Sequence, residues 1–506
     1  MNYDLLIPGQ LLGALTPDLI LMGGAMLLML AAAWRPESEG HQRTVGFGAL
    51  IVLGITFLSV LWFGAKGGTA GPGVIAMDRF RWAADIIFLL AAMGTIALGI
   101  EHNVRDGIRY AESHVLVLFA TSGMMIMAAA RDLMILFIGL ELMSIAVYVL
   151  VGINRRSERS AEAALKYFLL GAFATGFLLY GIALVYGATG STNITVIGER
   201  IFSYQLHHNA MLMVGIGLLL VGFGFKVAAV PFHMWAPDVY EGAPTPITAF
   251  MASAVKAAAF AAFFRVWIDA FNLVDFAWFA PLWWVAAFTM IVGNVVALSQ
   301  RNIKRMLAYS SIAHSGYLLL AVLAGSRLGS AAFLFYLLAY TFATFGAFAV
   351  VATVSRAGEQ GLNIADYDGL WLTRPWLAAG MAACMLALLG FPIFGGVGFF
   401  AKWYLLQAAL TTQYNLIPLA VLLVLTSVVS AGYYLGVIRA MFMKPRPEDA
   451  VEIAATGKLT RVVLGVTIAA ILGLGIFPSR LVRLTRSSVP TPPVAALVPQ
   501  GTTSVR

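Results

Sequence analysis

FKVAAVPFHMWAPDVYEGAPTPITAFMASAVKAAAF, residues 225–260, decides how the chain is read. It links the end of one apolar run to the start of the next and sets a lysine on each side, Lys226 and Lys256. A charge at mid-membrane costs roughly 2.5–3.5 kcal/mol on the insertion scale, so such residues are rare and usually functional. Lys166 and Lys402 also fall inside apolar runs, which makes four of the eight lysines, whereas none of the 24 arginines is expected deep in one. Arginine stays charged at any relevant pH, while a desolvated lysine can lose its proton. The bias points to proton handling rather than to binding of a fixed anion.

Composition closes off other classes. With 60% hydrophobic and 11% charged residues over 506 positions, and a mean hydropathy of +0.87, the chain is a membrane bundle and not a string of soluble domains. The net charge of +8 does not indicate nucleic-acid binding, because the basic residues cluster in short loops where membrane orientation accounts for them. The single cysteine, Cys384, excludes a disulfide within the chain, a cysteine zinc site and a four-cysteine iron–sulfur cluster. The first residues, MNYDLLIPGQ, lack the basic region of a cleavable signal, so the first span is expected to be retained. The Pro-rich segment 487–506 reads as a disordered tail after a single membrane domain over 1–486.

Apolar windows of about 20 residues predict an all-α polytopic fold of about fourteen transmembrane helices. They fall at 11–33, 44–64, 82–100, 113–130, 132–153, 162–187, 211–231, 245–268, 277–298, 304–325, 329–355, 376–412, 414–440 and 460–478. One set of alternate loops collects Arg35, Arg43, Arg105, Arg109, Arg155, Arg156, Arg159, Arg301, Lys304, Arg305, Arg356, Arg374, Lys444, Arg446 and Lys458. The positive-inside rule makes that side cytoplasmic and leaves both termini periplasmic.

Two spans look broken. The seventh meets Pro231 soon after Lys226, and the twelfth is interrupted by GFPIFGGVGFF just ahead of Lys402. Proline removes a backbone donor and glycine loosens the helix, so each break frees polar backbone groups inside the membrane. Paired interruptions of this kind point to an inverted repeat with an ion site at each break. Spans four to eight (about 113–268) and nine to thirteen (about 277–440) form two five-helix units, and the broken span is the fourth helix of each.

Among the polar residues, Glu141 lies mid-span and is expected to pair with Lys226, which would load and release a proton as a neighbouring charge moves. Asp132, at the outer end of the same span, reads as interfacial. Lys256 reads as a relay between the halves and Lys402 as the counterpart base at the second break. Lys166, about a turn inside span six, is open between snorkelling to the interface and a relay. His314, among Ser310, Ser311, Ser315 and Tyr317, is open between packing and relay. His233, Asp238 and Glu241 read only as a polar turn, with Thr245 as a helix cap. The chain contains no G-x-G-x-x-G, P-loop, C-x-x-C or H-E-x-x-H motif. Any nucleotide, flavin or iron–sulfur cluster is therefore expected on another subunit.

Together with 225–260, the runs LELMSIAVYVLVG (140–152), AALKYFLLGAFATGFLLYG (163–181) and NVVALSQRNIKRMLAYSSIAHSGY (294–317) resemble the antiporter-like membrane subunits of respiratory complex I, NADH-quinone oxidoreductase. The resemblance covers roughly residues 10–480. Within that family the chain is similar to the subunit N type: it ends soon after span fourteen and carries lysine at the second break. The resemblance implies a bacterial inner-membrane protein that translocates protons, driven by electron transfer from NADH to quinone in partner subunits. Those partners would hold NADH, FMN, the iron–sulfur clusters and quinone, and this chain would hold no cofactor. It also implies that Glu141 and Lys226 are a coupled pair, Lys256 a connecting lysine and Lys402 a terminal lysine, with Lys166 and His314 on the same polar axis. Two other readings share the sequence features: a subunit of a multi-chain sodium/proton antiporter, and a membrane spacer whose lysines only fix helix packing.

Overall fold

The computed structural model describes residues 8–66, 73–392, 396–448, 453 and 455–478; the expected tail at 487–506 lies outside the described residues. The described chain runs α1 (Pro8–Ala33), α2 (Glu39–Lys66), α3 (Arg79–Arg105), α4 (Glu112–Ala129), α5 (Leu133–Val151) and α6 (Glu158–Thr189). A short amphipathic α7 (Ile194–Ser203) precedes α8 (Ala210–Lys226) and α9 (Trp235–Gly242). Next come α10 (Thr245–Phe250), a π-helical turn over Met251–Val255 and α11 (Lys256–Asp269), which together form one continuous rod. The second half holds α12 (Asp275–Leu298), α13 (Ile303–Ala324), α14 (Arg327–Val354), α15 (Leu370–Thr373), α16 (Pro375–Leu389), α17 (Gly396–Thr411), α18 (Ile417–Met443) and α19 (Lys458–Ile476).

Polar residues punctuate the apolar runs, and that is why the helices start where they do. Asp78, Asp132, Ser157, Asn193, Asn209, Asn302 and Ser326 each accept a hydrogen bond from a backbone N–H of the first turn, satisfying a donor that the helix itself leaves free. Twelve helices among the described residues are long and apolar enough to cross a membrane, counting α10–α11 as one rod. Two shorter apolar helices, α8 and α16, stand where the broken spans are expected.

The first break comes earlier than the sequence reading placed it. α8 stops at Lys226, not at residue 231, and Ala228 takes a left-handed conformation with φ +55°. The segment from Val227 to Met234 contains no α-helix, because Pro231 has no N–H to continue the ladder. At the second break α16 ends on Gly390 at φ +79°. A Cβ on Gly398 would collide with the Ala387 carbonyl oxygen, so only glycine lets the two arms of that break approach.

Burial sorts the helices by depth in the bundle. The apolar window of the α10–α11 rod is 100% buried and that of α13 is 94% buried, against 28% for α1, so the rod and α13 form the protein interior. The loops gather at two ends. At one end Arg105 donates to the carbonyls of Ala352 and Ser355, Arg305 pairs with Glu241, and Arg446 donates to the carbonyls of Asp366 and Asp368. Arg105, Arg305 and Arg446 on this basic face belong to the set of loops that the charge count groups together. The opposite face joins Ile75 to Ala130 and Asp132 to Asn193 by isolated bridges.

Candidate functional site

The polar side chains of the interior lie on facing helices, and α13 holds them together. Its Ser315 hydroxyl donates to the Val227 carbonyl, a group set free by the first break, at 2.7 Å. One turn earlier the Ser311 carbonyl accepts from Lys256 Nζ at 2.8 Å, and the same ammonium donates to the Ser311 hydroxyl. Between them His314 meets the hydroxyls of Tyr336 (through Nδ1) and Tyr434 (through Nε2). Residues 311, 314 and 315 share one face because a helix brings i, i+3 and i+4 together.

Lys256 follows directly on the π turn at Met251–Val255, a distortion frequent at functional sites. Lys226 terminates α8 and donates to Ser144 Oγ at 2.7 Å and to Tyr148 Oη at 3.2 Å, both on α5. Lys402 donates across the second break to the Leu389 carbonyl at 2.8 Å and to Ser427 Oγ at 3.0 Å. It lies over the Tyr317 ring, 5.1 Å from its centre. A cavity of about 10 Å³, room for a single water at most, is lined by His314, Tyr336, Tyr340 and Lys402. Lys226, Lys256, Lys402 and His314 are all buried.

The expected ion pair between Glu141 and Lys226 is not formed. Glu141 Oε1 accepts from Thr175 Oγ1 at 3.0 Å, while Lys226 reaches hydroxyls one and two turns further along α5. Glu141, Ser144 and Tyr148 follow at i, i+3 and i+7, so the hydroxyls lie along the helix between acid and base. Lys166 is half-exposed and sits outside the interior row, bonded to Glu162 at 2.7 Å and Asp238 at 3.0 Å.

The reading of Asp238 and Glu241 as a mere polar turn also needs correction. Arg305 joins both, at 2.7 and 2.9 Å, so these acids link α6, α9 and α13 across the basic face. Burial pushes the Asp238 carboxyl up, but hydrogen bonds from Arg305 and Lys166 outweigh it and hold the group below the usual carboxylate range. Thr245 is not the cap but the first residue of α10. Its N–H and hydroxyl both donate to Glu359, at 2.7 Å each, and Pro244 precedes it. Asp132 caps α5 and accepts from Thr192.

Sequence reasoning missed the groups that act only through long-range contacts. Glu359 lies 3.1 Å from His102 Nε2 and accepts from Lys304 Nζ at 3.2 Å, groups on helices far apart in sequence. At the opposite face two arginines that had seemed shallow are buried: Arg81 pairs with Asp18, and Arg265 holds Asp78 through both terminal nitrogens. The only local signal is that Asp78 and Arg81 occur at the spacing of a cap, which says nothing of their partners.

A family model described as "NADH:quinone oxidoreductase/Mrp antiporter, TM" matches residues 130–430, the stretch that carries both breaks and all the interior lysines. The chain is 49% identical to NADH-quinone oxidoreductase subunit N of Gemmatimonas aurantiaca, over 96% of this chain and 95% of that one. The chain belongs to the NADH-quinone oxidoreductase subunit N family. Another relative of the same name, from Trichlorobacter lovleyi, is 44% identical over 94% of this chain and 97% of its own length. A chain of the respiratory complex I structure from Thermus thermophilus with bound aureothin superposes with a TM-score of 0.77 at 35% identity, covering 94% of this chain and all of that one. The family is one of antiporter-like membrane subunits, and the twelve apolar helices among the described residues fit a multi-pass chain.

Proposed function

We propose that the chain is the proton-translocating membrane subunit of an NADH:quinone oxidoreductase complex. Electron transfer from NADH to quinone takes place in partner subunits, which carry the NADH site, FMN, iron–sulfur clusters and quinone. This chain contributes no redox centre and moves protons through its polar interior, among other antiporter-like and small membrane subunits. It resides in a bacterial inner membrane with the basic face cytoplasmic and both termini periplasmic; the clustering of basic loops supports that orientation. The two halves of the pump are the five-helix units at about 113–268 and 277–440, within one membrane domain over 1–486.

The observation that carries this reading is the bridging role of α13. It touches the first break through Ser315, Lys256 through Ser311, and the cavity of Lys402 through His314. In this reading Lys226 exchanges a proton as the charge on Glu141 changes, with Ser144 and Tyr148 between them. Lys256 passes the proton towards His314, and Lys402 receives it at the second break. Lys166 lies at the edge of the axis and tunes entry rather than carrying the load. Moving one proton against the membrane potential costs roughly 2.3 kcal/mol per 100 mV, so the drive has to arrive as rearranged charge from the redox subunits.

The test uses membrane vesicles holding the intact complex. Lys226→Ala and Glu141→Ala variants are expected to assemble and to lose coupled proton pumping during NADH oxidation. Full pumping in both would overturn the assignment. A flux that requires sodium and no redox partner would instead favour an antiporter subunit.

A further inference from the structure

We propose that Glu359, His102, Asp106 and Lys304 form a proton-loading station at the basic face, feeding the helix rod that carries Lys256. The inference rests on the proton-pumping reading above and names where the proton enters this half of the protein.

The site begins at a cleft of about 770 Å³, open at the basic face and lined by Glu241, Arg301, Asn302, Arg305 and Glu359 among others. Glu359 stands at its inner wall. Its backbone is left-handed at φ +56°, between Gly358 and Gly361 at φ +75° each, a conformation that a side chain other than glycine rarely adopts. Strain of this kind persists only where the surroundings hold it and is concentrated at functional positions. The result is that the carboxylate points away from bulk solvent into the protein.

Charged or titratable groups reach Glu359 from each element packed around it. From α3 comes His102, with Nε2 at 3.1 Å, and from just past its end Asp106; a ring nitrogen of His102 and one carboxylate oxygen each of Asp106 and Glu359 lie within 4.8 Å of one another. From α13 comes Lys304, whose Nζ is fully buried and donates both to Glu359 at 3.2 Å and to the Ala243 carbonyl at 2.6 Å. From α10 comes the N–H and hydroxyl of Thr245, and Glu241 of α9 lines the same cleft. Three buried polar atoms in this group have no hydrogen-bond partner among the described residues: His102 Nδ1, His102 Nε2, which is near Glu359 but not aligned to donate to it, and Asp106 Oδ2. The His102 side chain is 2% exposed, so an unpartnered nitrogen there is costly unless it serves a mobile proton. The ammonium of Lys304 beside Glu359 weighs against a metal ion in the same place, since two cations would compete for one carboxylate.

The chemistry follows from the contacts. Burial pushes the Glu359 carboxyl up, but the Lys304 charge, the nearby His102 and the bonds from Thr245 outweigh it and hold it well below the usual range. While Lys304 is charged the carboxylate stays ionised. Once Lys304 has given its proton inward, the charge that held Glu359 is gone. A hydronium ion in the cleft then protonates the Glu359–His102 pair and leaves as water, and the pair passes that proton to the neutral Lys304 amine. Lys304 and Ser311 lie seven residues apart on one face of α13, about 10 Å along its axis. Ser311 is the group that holds Lys256.

The experiment measures NADH oxidation and proton uptake in vesicles containing the whole complex, with the parent chain, Glu359→Gln, Glu359→Asp, His102→Asn and Lys226→Ala. The expected result is assembled Glu359→Gln complex with pumping reduced at least five-fold, His102→Asn reduced several-fold, and Glu359→Asp active with a shifted pH profile. Parent-like pumping by Glu359→Gln alongside loss in Lys226→Ala would overturn the loading station and leave the pump standing. Parent-like pumping by Lys226→Ala would overturn the pump itself. If Glu359→Gln does not assemble, Glu359→Asp decides: a pH profile identical to the parent's overturns the proposal.

Discussion

Each break sets a lysine beside a proline, with glycines added only at the second, and the two resolve it differently. At the first, Lys226 turns away from its own break to hydroxyls on α5, and the freed Val227 carbonyl is served by Ser315 of α13. At the second, Lys402 itself serves the freed Leu389 carbonyl across the gap. The first ammonium therefore satisfies no carbonyl of its own break, whereas the second does. An unmatched buried carbonyl costs about 1–3 kcal/mol, so this difference in partner is a difference in what each residue can give up.

Replacing the lysines separates the two cases. Lys226→Met and Lys402→Met are both expected to cut the initial rate of proton pumping at least ten-fold in vesicles. Only Lys402→Met is expected to lower the melting temperature of the complex as well, because it alone leaves a carbonyl without a donor. Equal melting temperatures would erase the distinction. Gly398→Ala comes next: its methyl would meet the Ala387 carbonyl oxygen, and overpacking of this kind costs about 1–3 kcal/mol, read as reduced heat stability. A smaller effect is expected of Ser315→Ala, about 1 kcal/mol, from loss of the hydroxyl at the Val227 carbonyl. Parent-like stability there would show that the first break does not depend on α13.

The smallest effect concerns the tether of the first break to the basic face. Asp238 holds the segment after the break through Lys166 and Arg305, and its carboxyl is depressed below the usual range. The stability from a depressed carboxylate is complete above its unfolded value and is lost as pH falls through the folded one. Any gap in heat stability between the parent and Asp238→Asn is therefore expected at neutral pH and should close in strongly acidic buffer. A gap that grows on acidification would contradict the assignment. Half-exposed ion pairs are worth about 0–1 kcal/mol, so the gap is small.

Much of this architecture could be read in the residues themselves. Apolar run length marked the helices, proline marked the first break and proline with glycine the second, and basic loops of the alternating set gather on one face. The end of α8 was misplaced because apolarity continues through Val227–Val230 while the backbone does not stay helical. The partner of Glu141 was misjudged for a related reason: spacing puts a carboxylate and a lysine at similar depth but cannot show that Ser144 and Tyr148 stand closer. Glu359 and His102 gave no local signal, since a loop residue and a residue of α3 meet only through the fold. Asp238 and Glu241 were undervalued for the same reason, their partners being 67 and 64 residues away.

The row of side chains along α13 is a proton route only if its amines change protonation state, as opposed to merely supplying charge. Lys256→Arg distinguishes the two, because arginine keeps the positive charge and does not release its proton. The decisive measurement is the rate of proton pumping during NADH oxidation in vesicles containing assembled Lys256→Arg complex. A loss of at least ten-fold, matching Lys256→Met, is expected; pumping at the parent rate would contradict the route.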